Sequence, residues 1–190
     1  MSYFPAFIKL DNKRILIIGG GKIAQDKLLH LLEFSRQITL ISESFTKEIM
    51  SLIEKYSLSY LEKRYEEGDL SNFDLVVAAI DNLAVQKNIY HESRNYRCLY
   101  NCVDIQEYCD FIFPSYIKKG DLTIAISTSG SSPAMAKQLK IWLENIIPDS
   151  IVEFLIQMKE YRKTMPKGKD RMIFLDSKVK DYINSWKEKK

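Results

Sequence analysis

The fold is decided by the stretch RILIIGGGKIA, which runs from Arg14 to Ala24. Its segment Ile15–Ile18 is too short and too rich in β-branched residues for a core helix, so it predicts a central parallel strand covered on both faces. Three glycines follow at once, and an amphipathic helix is expected to begin near Lys22. The strand, turn and helix together predict a cradle for a nucleotide phosphate.

Each small residue of this turn has its own expected role. Gly19 permits the tight turn, Gly21 lets the backbone approach a pyrophosphate closely, and Ala24 stands where helix and strand must touch. The helix would aim free N–H groups and the positive end of its dipole at the phosphates. The alternative is a strand–turn–helix crossover that binds no ligand. The predicted elements on either side of the turn favour the dinucleotide site.

Length and composition allow one full domain and an appendage. The chain has 190 residues, of which 46% are apolar, enough to bury one sizeable core. No apolar run approaches the length of a bilayer span, and the start Met-Ser-Tyr-Phe-Pro lacks the basic region and cleavage site of a signal peptide. A cytoplasmic protein without membrane association is therefore expected.

Cysteine and histidine are sparse. Cys98, Cys102 and Cys109 form no CxxC motif, which is more typical of reduced thiols than of a disulfide framework. His30 and His91 fall on predicted helices far from the cysteines in sequence, and are expected to face solvent. We predict no metal site, and we expect the cysteines to pack as small apolar side chains.

The net charge of +3 is concentrated near the C-terminus. Residues 167–190 hold eight Lys and Arg against four Asp and Glu, so the remainder of the chain is close to neutral. A solvated helical face, a nucleic-acid-binding arm and a basic rim that attracts an acidic small molecule all fit this composition. No aromatic interleaving or glycine-rich arm supports the second option, so nucleic acid is not an expected partner.

Strands alternate with helices over residues 1–112, and this alternation predicts a doubly wound parallel sheet of Rossmann type. After the first helix the predicted elements are a strand over 37–41, a helix over 46–56, strands over 57–61 and 73–79, a helix over 83–96 and a strand over 98–103. This region is the predicted NAD-binding domain.

The pattern changes after residue 112. Strands over 111–117 and 122–127, joined by the turn Lys118–Asp121, predict a hairpin with no helix between them. A hydroxyl-rich loop then leads to a helix over 134–147, with Ser132 as its N-cap.

A hairpin and one helix cannot bury much surface alone, so residues 113–148 are predicted to be a small α+β dimerisation unit of a symmetric homodimer. Residues 149–190 are predicted to form a C-terminal helical region. Its helices would cover 149–164 and 170–187, separated by Pro166-Lys167-Gly168.

Ligands of open α/β sheets bind beyond the carboxyl ends of the strands, so the polar residues there are candidates for a site. The glycine turn brings Lys22 and Ile23 to this edge. Ser42-Glu43-Ser44 follows about twenty residues later, where an acid meets the ribose hydroxyls of NAD. Glu43 would repel the 2′-phosphate of NADP, which favours NAD. Glu43 fits equally well as an acid ahead of a helix start.

Two further strand ends carry acids. Asp81 or Asn82 most simply caps the helix that follows, and we assign no chemistry there. Asp104 follows the last parallel strand. Taken alone it is typical of a turn, and it would be functional if a substrate needed proton removal while a hydride leaves.

Four separated motifs together resemble the precorrin-2 dehydrogenase family, which includes stand-alone enzymes and the N-terminal half of siroheme synthases. The motifs are GGGKIA at 19–24, NCVD at 101–104, FIFPS at 111–115 and ISTSGSSP at 126–133. The likeness covers residues 1 to about 150 in order and spacing. After Pro148 the chain matches only as a helical extension.

The resemblance implies oxidation of precorrin-2 to sirohydrochlorin with NAD⁺ as hydride acceptor, on the way to siroheme or cobalamin. In some members of the family the same site also inserts Fe²⁺. The family's essential aspartate matches Asp104, and its NAD contacts match Lys22, Ile23, Glu43 and Ser44.

The family's tetrapyrrole substrate carries many carboxylates and needs cations to bind it. The candidates are Lys118, Lys119, Lys137 and Lys140, although for each one alone an ordinary surface lysine is the stronger interpretation. The alternative to an enzyme is a dinucleotide-sensing binding module with a basic C-terminal region.

The chain departs from the family's motifs at two positions. Ile80 stands where the family usually has threonine, which removes a hydroxyl near the cofactor. Thr128 stands where some relatives have serine, so regulation through a phosphoserine does not transfer to this chain.

Overall fold

The structure, a computed structural model, describes residues 3–103 and 105–186. These residues fall into two compact units, 3–112 and 113–186. The first unit contains the parallel sheet and its helices. The second contains a hairpin and three helices. No helix in the described part of the chain is long and apolar enough to cross a membrane.

The first unit is a five-stranded parallel sheet with helices. Its strands are β1 (Ile15–Ile18), β2 (Ile38–Ser42), β3 (Ser59–Glu62), β4 (Leu75–Ala78) and β5 (Leu99–Cys102), and its helices are α1 (Lys22–Leu32), α2 (Lys47–Tyr56) and α3 (Leu83–Tyr96). The strand order β3-β2-β1-β4-β5 matches the first five positions of the Rossmann order 3-2-1-4-5-6. The predicted fold class is therefore confirmed.

The core of this unit lies along the central strands. All four residues of β1 and all four of β4 are buried, because each strand has a neighbour on both sides and a layer over both faces. Ala24 and Leu28 of α1 are fully buried. The small side chain of Ala24 thus lies in the core, as its position in the glycine motif predicts.

Two predicted strand starts in the first unit are wrong. The strand predicted over 57–61 begins at Ser59, because Ser57 adopts a left-handed φ of 52° and ends α2, with the Leu58 N–H donating to the Ile53 carbonyl. The strand predicted over 73–79 begins at Leu75, because Phe73 belongs to a turn. Local turn geometry takes these residues out of the sheet.

The second unit begins with an antiparallel hairpin. Its elements are β6 (Ser115–Lys119), β7 (Leu122–Ile126), α4 (Pro133–Ile146), α5 (Ile151–Thr164) and α6 (Lys169–Ser185). The strand predicted over 111–117 begins only at Ser115. The four-residue turn predicted at Lys118–Asp121 is also wrong, because Lys118 and Lys119 belong to β6. The turn contains only Gly120 and Asp121, with Gly120 at a φ of +57°, and glycine is favoured at that first turn position.

Two other features of this unit have local causes. Ser132 caps α4 as predicted, since its Oγ accepts from the Met135 N–H at 3.2 Å. Thr128 serves the preceding loop, where its Oγ1 accepts from the Ser132 N–H at 3.0 Å. Residue 187, the predicted end of the last helix, lies outside the described residues.

Candidate active site

The three glycines after β1 are held by different constraints. Gly19 has a φ of +130°, and a Cβ there would lie 2.2 Å from the Ala79 carbonyl oxygen. A Cβ on Gly20, to which the sequence assigned no role, would lie 1.9 Å from the Ser44 carbonyl oxygen. Gly21 has extended backbone, and a Cβ there would meet no described atom within 4 Å. The fold therefore requires the first two glycines, whereas Gly21 borders open space.

The amino end of α1 lies at this open space. Gly21 is the N-cap and no side chain caps the helix, so the first-turn N–H groups, which have no intrahelical partner, are available to an anion. Lys22 is exposed and its Nζ pairs with Asp26 Oδ1 at 3.1 Å. Ile23 is also exposed. This turn is suited to hold the pyrophosphate of a dinucleotide.

Glu43 directly follows β2 and is paired with a residue that sequence reasoning missed. Its Oε1 accepts from Arg64 Nε at 2.7 Å, and both side chains are largely exposed. The carboxylate raises the pKa of the Arg64 guanidinium, which therefore stays charged. Ser44 is exposed as well. The cap of α2 is Thr46, three residues after Glu43.

No local sequence signal predicts the Glu43–Arg64 pair. The two residues are 21 positions apart, and they meet because Ser42 lies opposite Glu62 in the β2–β3 register. Only the register of two parallel strands brings both side chains to the same edge of the sheet.

Asp104, the predicted catalytic residue, lies outside the described residues, two positions after the end of β5. The strand residue Asn101 is buried and its Nδ2 donates to the Phe111 carbonyl at 2.8 Å. Asn101 Oδ1 is buried without a hydrogen-bond partner among the residues that the structure describes. Asn101 therefore ties the end of β5 to the segment that contains Phe111.

The thiols near this strand end are structural. Cys102 and Cys109 have their Sγ atoms 3.8 Å apart. Cys109 Sγ donates to the Cys102 carbonyl at 3.1 Å, and Cys102 Sγ donates to the Ile105 carbonyl at 3.0 Å. Burial raises the pKa of Cys109 to about 11. It is therefore protonated near neutral pH, which suits a hydrogen-bond donor rather than a nucleophile.

An acid that sequence reasoning missed fixes the chain after β5. The Asp110 carboxylate accepts from Arg94 Nη1 at 2.9 Å and from the Tyr100 N–H at 2.9 Å, while the Asp110 N–H donates to the Tyr100 carbonyl at 2.8 Å. The carboxylate also raises the pKa of Arg94. Asp110 therefore ties the returning chain to β5.

The acid-containing turn after β4 has the capping role that the sequence predicts. Asn82 Oδ1 accepts from the Val85 N–H at 3.1 Å and caps α3. Asp81 is exposed. The Ile80 carbonyl accepts from Gln86 Nε2 at 2.6 Å. Nothing in this geometry assigns chemistry to Asp81.

The four candidate lysines have different surroundings in the second unit. Lys119 Nζ donates to the Ile147 carbonyl at 2.7 Å and pairs with Asp149 at 2.7 Å, so it ties β6 to the end of α4. Lys140 Nζ lies 5.7 Å from the centre of the Tyr116 ring and 3.7 Å from Glu144 Oε1. The exposed residues Lys118 and Lys137 lie on β6 and α4.

Tyr116 and Lys118 are two residues apart on β6 and so share one face of the hairpin. Lys137 and Lys140 are three apart on α4 and so are neighbours on its surface. Because Lys140 lies over Tyr116, three of the four candidate lysines belong to one side of this unit, while Lys119 has a structural role.

The described residues contain no group of three or more His, Cys, Asp and Glu side chains that could hold a metal ion. His91 is exposed on α3 and His30 is half-buried on α1. Cys98 is buried.

Two family models match the chain. A family described as "Putative NAD(P)-binding" matches residues 6–115, and one described as "Sirohaem biosynthesis protein central" matches residues 119–145. The first covers more than half of the chain and includes the glycine turn, Glu43 and β5.

The curated relatives include siroheme synthases. That of Pseudoalteromonas translucida is 36% identical over 151 residues, 80% of this chain and 32% of the relative. That of Methylococcus capsulatus is 33% identical over 178 residues, 92% of this chain and 38% of the relative. The chain thus spans about a third of the length of these relatives.

A solved structure matches the whole chain. The structure of SirC, a precorrin-2 dehydrogenase, superposes with a TM-score of 0.80 at 23% sequence identity and covers 98% of both chains. This likeness shows the same fold in both units.

Proposed function

The chain belongs to the NAD(P)-binding family that matches residues 6–115. From that premise, and from the match of residues 119–145 to the central region of sirohaem biosynthesis proteins, we propose that it oxidises precorrin-2 to sirohydrochlorin with NAD⁺ as hydride acceptor. The observation that carries the proposal is the open space beside Gly21 at the uncapped amino end of α1. An enzyme for this reaction needs a dinucleotide pyrophosphate there and a proton acceptor across the crevice.

The residues that would hold the cofactor follow from their positions. The first-turn N–H groups of Lys22 and Ile23 would hold the pyrophosphate, and Glu43 and Ser44 would bind the adenosine ribose. NAD⁺, when bound, accepts a hydride from the substrate. The carboxylate of Asp104 takes the proton that the macrocycle releases in the same oxidation, so the products are sirohydrochlorin, NADH and a proton.

The substrate carboxylates require cations on the face that binds them. Lys118, Lys137 and Lys140 are the proposed contacts, since they share one side of the hairpin–helix unit. The two oxygen partners of Lys119 make it the weakest of the four candidates.

The activity test combines the purified protein, precorrin-2 and NAD⁺. We expect NADH and sirohydrochlorin to appear in equal amounts. Dinucleotide binding without any NADH would overturn the proposal and favour the sensing module, which also predicts a salt-dependent shift with DNA or RNA. A separate incubation with sirohydrochlorin and Fe²⁺, compared with the uncatalysed rate, tests iron insertion.

Asp104 is tested by replacing it. Asp104→Ala is expected to bind NAD⁺ like the unaltered protein and to lose activity by about 10²–10⁴-fold, the usual contribution of a positioned acid or base. Full activity in this variant would remove Asp104 from the mechanism.

We further propose that the protein is a cytoplasmic homodimer assembled through its second unit. Met135, Leu139 and Trp142 of α4 are 54%, 38% and 59% exposed. Their spacing of four and then three residues places them on one face of the helix. A symmetric partner would cover this apolar face, and a reducing compartment suits three cysteines without a disulfide.

A further inference from the structure

The Glu43–Arg64 pair is built into the sheet rather than formed by two flexible surface side chains. The Lys63 N–H donates to the Ser42 carbonyl at 3.0 Å, which continues the β2–β3 pairing one residue beyond the strands. Glu43 and Arg64 emerge directly after this bond. Their 2.7 Å contact therefore follows from backbone register.

Two of the acids near Arg64 in sequence are engaged elsewhere. Lys63 pairs with Glu66 at 2.8 Å and with Asp69 at 2.9 Å. Within residues 3–103 and 105–186, Arg64 forms an ion pair only with Glu43, and Glu43 forms one only with Arg64. The pair is thus a unit separate from the Lys63 network.

The pair also lies beside the phosphate cradle. The Thr46 N–H donates to the Gly20 carbonyl at 3.0 Å, and the Ser44 carbonyl lies against Gly20. The segment that begins at Glu43 therefore contacts the glycine turn itself. A dinucleotide whose pyrophosphate binds at Gly21 places its adenosine ribose next to Glu43.

The two charges have opposite effects at that ribose. A carboxylate accepts hydrogen bonds from the ribose hydroxyls and repels a 2′-phosphate, whereas a guanidinium binds a phosphate through paired N–H donors. Glu43 contacts Arg64 through Nε, and the Arg64 side chain is 80% exposed. The remaining guanidinium donors thus lie at the surface where a 2′-phosphate would arrive.

We propose, resting on the proposed dinucleotide site, that Arg64 is the specificity-determining residue that sets how strongly this site prefers NAD⁺ over NADP⁺. Paired with Glu43, it offsets the repulsion between the carboxylate and a 2′-phosphate and keeps the preference modest. Without Arg64 the preference sharpens, and without the charge of Glu43 the guanidinium is released to bind the phosphate.

The experiment measures dissociation constants of NAD⁺ and NADP⁺ by isothermal titration calorimetry, so the readout does not depend on turnover. Arg64→Ala is expected to weaken NADP⁺ binding about tenfold, the scale of one charge-assisted hydrogen bond, and to change NAD⁺ binding much less. Glu43→Gln should strengthen NADP⁺ binding by a similar factor. Arg64→Lys, which keeps the charge but not the planar fork, should fall between the unaltered protein and Arg64→Ala.

The double variant identifies the source of the gain. In Glu43→Gln combined with Arg64→Ala, the strengthened NADP⁺ binding should disappear, because no guanidinium remains to hold the phosphate. Lys13→Ala is the matched control. Lys13 forms a 3.1 Å ion pair with Asp74 at the amino ends of β1 and β4, the opposite edge of the sheet, so its loss should leave both constants unchanged.

Three outcomes would overturn the inference. Arg64→Ala with the same NAD⁺ to NADP⁺ ratio as Lys13→Ala would remove Arg64 from specificity and leave the proposed function intact. A double variant that keeps the NADP⁺ gain would do the same. If the unaltered protein binds neither dinucleotide, the inference and the proposed function fail together.

Discussion

The two units of the molecule differ in how completely they bury their own apolar residues. In the first unit, β1 and β4 are buried along their whole length. In the second unit, Ala136 is the buried residue of α4 and Leu175 that of α6. Both units also have exposed large apolar side chains, and those of the second unit are Met135, Leu139, Ile141, Trp142, Ile156, Met172, Ile173 and Ile183.

This difference separates two ways in which a sequence reaches a stable fold. The first unit closes its core around a central strand, so burial accounts for its stability within one chain. The second unit forms its helices and hairpin from local signals but leaves an apolar face open. Large exposed apolar patches mark association surfaces, so we expect the second unit to depend more on the proposed partner than the first.

The sharpest test of the first unit compares two adjacent glycines. Gly20→Ala should lower the free energy of unfolding by about 3 kcal/mol or more, because its Cβ would overlap the Ser44 carbonyl oxygen, a backbone atom that cannot rotate away. Gly21→Ala should change stability by less than about 1 kcal/mol and weaken NAD⁺ binding by more than about tenfold, since its Cβ enters the open space.

Urea unfolding and NAD⁺ titration of both glycine variants provide the measurements. Normal NAD⁺ binding by Gly21→Ala would show that the open space is not where the cofactor lies. A fully stable Gly20→Ala would contradict the close contact with Ser44.

The open face of the second unit is tested at its centre. Trp142→Lys should raise the dissociation constant of the dimer by about 100-fold, equivalent to about 2.7 kcal/mol, because it places a charge in an apolar interface. Sedimentation velocity over a concentration series measures this. Ser177→Lys adds the same charge to an exposed position of α6 and should leave the association unchanged. A Trp142→Lys variant that dimerises normally would exclude this face of α4.

A third prediction concerns whether the two units unfold independently. Glu92 is buried on α3 and accepts hydrogen bonds from the Tyr65 hydroxyl and, at 2.8 Å, from the Gly68 N–H. Glu92→Ala leaves both donors without this partner and should lower the free energy of unfolding of the first unit by about 2 kcal/mol. Glu67→Ala, at an exposed position, is the control and should have an effect below about 0.5 kcal/mol.

The chain carries its own probes for this measurement. All three cysteines lie in the first unit, and both tryptophans, Trp142 and Trp186, lie in the second. Thiol labelling in urea should report the loss in Glu92→Ala, while the tryptophan fluorescence midpoint should move less. Equal shifts of the two midpoints would mean that the units unfold together.

The smallest expected effect depends on pH. The Arg14 N–H donates to Asp74 at 2.9 Å and Lys13 lies beside it, and these contacts hold the pKa of the Asp74 carboxyl below its usual value. The unfolded chain therefore binds this proton more readily than the folded chain. The stabilisation is complete above the unfolded pKa and is lost as the pH falls through the lower folded pKa.

Asp74→Asn should accordingly lower the free energy of unfolding by about 1 kcal/mol near neutral pH, and the difference from the unaltered protein should shrink below about pH 4. Urea unfolding followed by circular dichroism across this range is the measurement. A difference that stays constant down to low pH would show that the carboxylate charge is not responsible.

Sequence patterns predicted the features that depend on neighbouring residues. The run Ile15–Ile18 with its glycines predicted the central strand and the turn, and Ser132 predicted the start of α4. The contacts of Arg64, Asp110 and Glu92 were missed because each joins distant segments whose register exists only in the folded sheet.

Glu92 shows most clearly why such contacts escape prediction. It lies on a helix whose polar residues are mostly solvated, and its burial depends on a loop more than twenty residues earlier in the chain. A charge in a helical pattern is normally assigned to the surface. Only the partner loop makes burial of this carboxylate favourable.

The hydrogen bonds between Asp110 and Tyr100 protect the edge of the sheet from aggregation. β5 is an edge strand, and an uncovered edge offers backbone groups with which another chain can pair and aggregate. The Tyr100 N–H and carbonyl are both bonded to Asp110, and the Cys102 N–H donates to Cys109 Sγ at 3.4 Å. The returning chain therefore occupies backbone groups that an incoming strand would need. A substitution of Asp110 would free these groups for pairing with another chain and so favour cross-β aggregation.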